Sequence, residues 1–164
     1  MFNLIVSCGG WEPHRDSFGS GRVLEYTDAA IAQRFMPNKI LDINAVAKLP
    51  TLFMSETQGA GNQVAHVGTI TQLKLSGTDF QIEYAVDPAI RPIPNSSLLR
   101  MARELGIEEF EFSRTHWAIK DADLYKALLR NLYSDLPTPK VFQLSPEPAN
   151  NRMVSAMMPF SAGF

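Results

Sequence analysis

One stretch of this chain constrains its fold more than any other. From Phe80 to Val86, the apolar residues Phe80, Ile82, Tyr84 and Val86 alternate with Gln81, Glu83 and Ala85. That period of two sets one face of a strand on a core and the other toward water. Upstream, Leu73 and Leu75 continue the same alternation, and Ser76-Gly77-Thr78-Asp79 supplies a turn whose glycine can take a positive φ. Residues 64–75 and 79–87 are therefore predicted to form a β-hairpin. Gly68 interrupts the first arm and marks an expected bulge, a device that bends a sheet toward a small barrel.

Other segments supply partners for the hairpin. Residues 2–7 (Phe-Asn-Leu-Ile-Val-Ser) read as a buried strand ended by Gly9-Gly10, and residues 11–21 as an irregular surface excursion leading to a strand near 22–26. Asp28 is placed to cap a helix through Phe35 that Pro37 stops, and 39–43 and 50–54 are short apolar runs expected to be strands. Asn95 or Ser96 is expected to cap a helix over 96–105, with Gly106 as its left-handed terminator. Residues 108–113 alternate Glu and Phe as a strand would, and Trp117 and Ile119 repeat that step. Asp121 then opens a helix carrying Leu124, Leu128 and Leu132 that ends by Pro137, with a closing strand at 140–144. The expected class is α+β: a mainly antiparallel, curved sheet or small barrel with two or three helices, filling residues 1–144.

Composition narrows the function classes. A chain of 164 residues, 45% hydrophobic and 20% charged, can bury one proper core without metal or disulfide staples. No apolar run approaches the roughly 18 residues that cross a bilayer, and the apolar first segment lacks a basic leader, so a cytoplasmic protein is expected. Cys8 is the sole cysteine, which excludes an internal disulfide. With 15 Lys plus Arg against 17 Asp plus Glu, the net charge of -2 argues against sequence-independent nucleic-acid binding. Arg100, Arg103, Arg114, Lys120, Lys126 and Arg130 read as solvated helix faces.

Chemistry-bearing residues are sparse. Cys8, His14 and Asp16 hold the residue types of a thiol nucleophile, its base and an orienting acid, without an activated-cysteine signature around them. The histidines His14, His66 and His116 lack metal-ligand spacing, and Gly19-Ser20-Gly21 and Gly59-Ala60-Gly61 lack the third glycine of a phosphate loop, so no cofactor is expected. The densest constellation is Ser113 to Asp121. On an extended strand Arg114, His116, Ala118 and Lys120 share one face, while Thr115, Trp117 and Ile119 share the other. Read functionally, Arg114 and Lys120 take an anionic group with His116 as donor or acceptor; read structurally, Trp117 anchors the core and His116 bonds a backbone carbonyl.

The C-terminal stretch changes character. Residues 145–151 are a proline- and asparagine-rich linker, and residues 152–164 bring a new strand pattern. Val154-Ser155-Ala156-Met157-Met158-Pro159-Phe160, followed by Ser161-Ala162-Gly163-Phe164, resembles the opening strand and loop of bacterial domains similar to nucleoside 2-deoxyribosyltransferases and Toll/interleukin-1 receptor domains. The segments Leu49 to Glu56, Ile93-Pro94-Asn95 and Arg114 to Leu124 resemble regions that precede such domains in multidomain bacterial proteins, some acting in phage defence. The resemblance implies a non-catalytic N-terminal recognition or regulatory module. Its partner is then a nucleotide- or glycoside-processing domain beyond the opening strand or another protein, and its ligand is of nucleotide type. The competing expectation is a free-standing small hydrolase using Cys8, His14 and Asp16 or His116.

Overall fold

The hairpin forms as its alternation dictates. In the computed structural model, which describes residues 1–11, 14–58 and 62–132, β4 (Val64–Ser76) and β5 (Asp79–Val86) are joined through Gly77 at φ 63°. Pairs Ser76↔Asp79, Leu75↔Phe80 and Leu73↔Ile82 fix the register, and Phe80, Ile82 and Tyr84 are buried while Gln81 and Ala85 face water. The register shift lies between Ile70 and Gln72 rather than at Gly68. Gly68 has another role: a Cβ there would lie 2.2 Å from the Ala85 carbonyl oxygen, so only glycine lets the two backbones approach this closely.

Five further strands complete one open sheet. These are β1 (Phe2–Ser7), β2 (Arg15–Gly19), β3 (Pro50–Ser55), β6 (Ile93–Pro94) and β7 (His116–Lys120). The order is β2-β5-β4-β3-β1-β7, with the short β6 paired to β4. Only β1 and β3 run parallel; the other ladders are antiparallel. Being buried on both faces, β1 carries an unbroken apolar run apart from Asn3, whose amide donates to the Val46 carbonyl and Thr51 Oγ1 at 3.0 and 3.1 Å.

The two sheet faces hold separate cores because successive side chains point to opposite sides. Leu4, Val6, Leu52 and Met54 pack with Leu98 of α3 (Asn95–Arg100), Leu105 of α4 (Ala102–Leu105), Leu128 of α5 (Leu124–Leu132) and Met101 between α3 and α4. Ile5, Phe53, Ile82, Tyr84 and Trp117 pack with Phe35 of α1 (Ala29–Phe35) and Val46 of α2 (Ile43–Ala47). The sheet curls strongly: Phe18 on edge strand β2 stands edge-on to Trp117 on edge strand β7, centroids 6.0 Å apart. Among the described residues no ladder joins those edges; an isolated bridge pairs Val23, beyond β2, with Trp117. The expected α+β class with a mainly antiparallel sheet is found, and the sheet is open rather than the barrel of the alternative.

Several local expectations are corrected. Residues 22–26 are not a strand, since a 3-10 turn at Ser20–Arg22 leads into that lone Val23 bridge; β2 occupies part of the stretch expected to be irregular. Residues 39–43 give way to a 3-10 turn at Pro37–Lys39 and to α2, because the Asp42 carboxylate accepts the Ala45 amide at 3.0 Å and caps a helix instead. The Glu-Phe alternation of 108–113 is a 3-10 helix at Glu109–Ser113, closed by reciprocal bonds between Glu108 and Glu111. Asp28 does cap α1, through Ala30 and Ile31, and Gly106 does terminate α4 at φ 67°. The 96–105 helix is broken at Met101 (φ -106°, ψ 10°). Residues 133–164 lie outside the described residues, and with them the helix end by Pro137, the closing strand at 140–144, the linker and the 152–164 segment. No described helix is long and apolar enough to cross a membrane.

Candidate functional site

The expected anion-binding face is taken apart by the fold. Residues His116, Ala118 and Lys120 do share a face of β7, but every residue of that strand is buried. Lys120 is 6% and His116 0% exposed, so the expectation that Lys120 lies on the surface is corrected. The reason is Glu111, which the 3-10 helix turns inward. Lys120 Nζ donates to Glu111 Oε1 at 2.7 Å and to the Tyr26 carbonyl at 3.2 Å. The second carboxylate oxygen, Oε2, lies 2.9 Å from His116 Nε2, and neither atom has another partner among the described residues. His116 Nδ1 lies 2.7 Å from the Arg114 carbonyl, an acceptor only, so Nδ1 is the ring nitrogen that donates there.

Burial alone would raise the Glu111 carboxyl. Hydrogen bonds from His116, the Glu108 amide and Lys120 outweigh it, and hold the group below its ordinary value. Arg114 stays exposed, its guanidinium 5.9 Å from the Tyr26 ring centroid. The three expected ligand residues therefore divide between a sealed ionic cluster and an outer cation.

An accessible site lies at the carboxyl ends of the parallel pair β1–β3, a place where open sheets commonly leave a crevice. Backbone bonds tie this end together: Glu56 N donates to the Ser7 carbonyl at 3.0 Å and Thr57 N to the Phe112 carbonyl at 2.7 Å. The Thr115 hydroxyl accepts the Cys8 amide at 3.0 Å and donates to Glu56 Oε1. Beside this seam opens a cleft of about 340 Å³ lined by Thr57, Asn95, Ser96, Leu99, Glu109, Phe112 and Ser113.

Asn95 is the unusual member. Its backbone N–H donates to the Gln63 carbonyl at 2.9 Å, and its Nδ2 donates to the Ser55 carbonyl at 2.8 Å and to Thr57 Oγ1 at 2.9 Å. Because the Ser55 carbonyl can only accept, the amide orientation is fixed. Its Oδ1 then has no partner among the described residues, although the residue is 2% exposed. A buried acceptor left unpaired costs about 1–3 kcal/mol, so its retention beside a cleft calls for explanation. Gln63 Oε1 is also unpaired but does not line the cleft. The sequence points to Asn95 only as a cap, yet its side chain caps nothing. Its partners lie 40 and 38 positions away, beyond any local pattern.

The hydrolase trio is placed as separate features. Cys8 is exposed in the turn after β1, and no hydrogen bond joins it to His14 among the described residues. His14 lines a second cavity of about 250 Å³ with Trp11, Phe53, His66, Tyr84 and Val86. Asp16 lies on β2, where its carboxylate accepts the Ser17 amide at 2.7 Å. No group of three or more His, Cys, Asp or Glu among the described residues is placed to hold a metal ion. No family model, curated protein or solved structure matches the chain.

Proposed function

We propose that the chain is a non-catalytic recognition module, with the Asn95 cleft as its ligand site. The supporting observation is Asn95, a residue that lines an accessible cleft and whose buried Oδ1 has no partner among the described residues, a polar group for a bound donor to satisfy. The side chains of Glu111, His116 and Lys120 are closed off in the core rather than facing the cleft. In this reading, occupancy of the cleft is reported to a nucleotide- or glycoside-processing partner domain of the kind that residues 154–164 resemble. A fragment screen by ligand-observed NMR on the full chain tests it. Hits that compete with one another and are lost on Leu99→Ala at the exposed wall are expected. A library with no hit at the cleft contradicts it. Incubation with NAD and a panel of nucleosides separates the hydrolase alternative: no base release is expected, and release abolished by C8A or H14A would establish catalysis instead.

A further inference from the structure

Resting on that reading, we infer that the cleft takes a small molecule whose head group carries N–H donors and no negative charge (an ammonium, amidinium or amide) on a compact apolar body. The polar inventory of the wall points this way. Asn95 Oδ1 is an acceptor only and has both lone pairs unused, so it demands a donor. Glu109 is the one charged side chain on the wall, and it too only accepts. The hydroxyls of Ser96 and Ser113 can serve either role and set no preference. No cation lines the cleft among the described residues. Of the two cations that adjoin lining residues in sequence, Arg100 donates to the Ser96 carbonyl at 3.3 Å and to Ser97 Oγ at 3.0 Å, and the Arg114 guanidinium lies 5.9 Å from the Tyr26 ring centroid. An anionic ligand would therefore bring its charge toward a carboxylate and an unpaired carbonyl with nothing to offset either. The apolar part of the ligand has its own partners, the half-exposed Leu99 and the ring of Phe112. A volume near 340 Å³ is at the small end of pockets that enclose organic ligands, about right for one substituted ring.

Three probes of equal size and different head group test this directly: benzamidine, benzamide and benzoate, each titrated into the 15N-labelled full chain. Benzamidine is expected to move the resonances of Asn95, Leu99 and Ser113 in a saturable way, with benzamide several-fold weaker and benzoate without effect. Asn95→Ala removes two bonds that tie the loop at Ser55 and Thr57 and can disturb folding, so the decisive variant is Glu109→Gln. It should weaken benzamidine several-fold more than it weakens benzamide, so that the two bind at a similar level. Benzoate binding at these residues as tightly as benzamidine overturns the donor inference while the recognition cleft stands. The same holds if none of the three binds but an unrelated fragment does. Failure of every fragment at the cleft overturns both.

Discussion

Lys120 Nζ donates to Glu111 Oε1 across 2.7 Å, with the two side chains 7% and 0% exposed. His116, fully buried, closes the other side of the same carboxylate. A cluster that looks in the sequence like a surface for anions is thus an internal tie between the 3-10 helix at Glu109–Ser113 and edge strand β7.

Removing one member leaves an uncompensated charge in the core. Lys120→Ala or Glu111→Ala is expected to cost about 3–5 kcal/mol, while the paired replacement Lys120→Met with Glu111→Leu recovers most of that loss. Urea unfolding measures each value. A cost below about 1 kcal/mol for Lys120→Ala would mean that the cluster is open to solvent.

Acid should weaken the same tie. Since Glu111 is held below its ordinary carboxylate value in the folded state, the unfolded chain takes up the proton more readily. Its contribution is complete above the unfolded pKa and is lost as pH falls through the lower folded one. The unfolding midpoint should drop between about pH 5 and about pH 3, with a smaller drop in Glu111→Gln. Equal drops in the two proteins would assign the acid response to other carboxylates.

Trp117 fills the concave face between Phe18 and Phe80, and its indole N–H donates to Asn3 Oδ1 at 3.2 Å. Trp117→Ala should cost about 3–5 kcal/mol through lost burial and the cavity left behind. Arg114→Ala, at an exposed position, should stay within about 0.5 kcal/mol. Chemical denaturation of both variants checks the order, and a reversed order would refute the placement of this strand.

Gly68→Ala tests the backbone approach between β4 and β5. With its Cβ 2.2 Å from a main-chain oxygen, the pair must separate, and a loss of at least about 2 kcal/mol is expected. Hydrogen exchange should report faster opening of the hairpin; unchanged protection would show that the strands have room to spare.

What was legible in the sequence follows from the range of the forces involved. The hairpin, β1, β3 and the Asp28 and Gly106 helix ends rest on period, turn or capping signals within a few residues, and they appear as expected. Where two local patterns compete, the sequence misleads. Phe110 and Phe112 alternate with glutamates as in a strand, yet the Glu108–Glu111 capping box selects a 3-10 helix and turns Glu111 into the core. That inward turn buries Lys120, nine positions on. The site is less legible still. Asn95 gains its meaning from Ser55 and Thr57, which reach it only because β3 ends beside the start of α3.

The most direct test of the account uses uniformly 15N-labelled protein with the asparagine side-chain amides assigned, titrated with the tightest fragment from the screen. A saturable shift of the Asn95 amide, in step with the Leu99 and Ser113 backbone amides and with a Kd below about 1 mM, is the predicted result. Fragments that saturate elsewhere, for example at Trp11 and His66, while these three signals stay still would contradict the assignment of the Asn95 cleft as the recognition site.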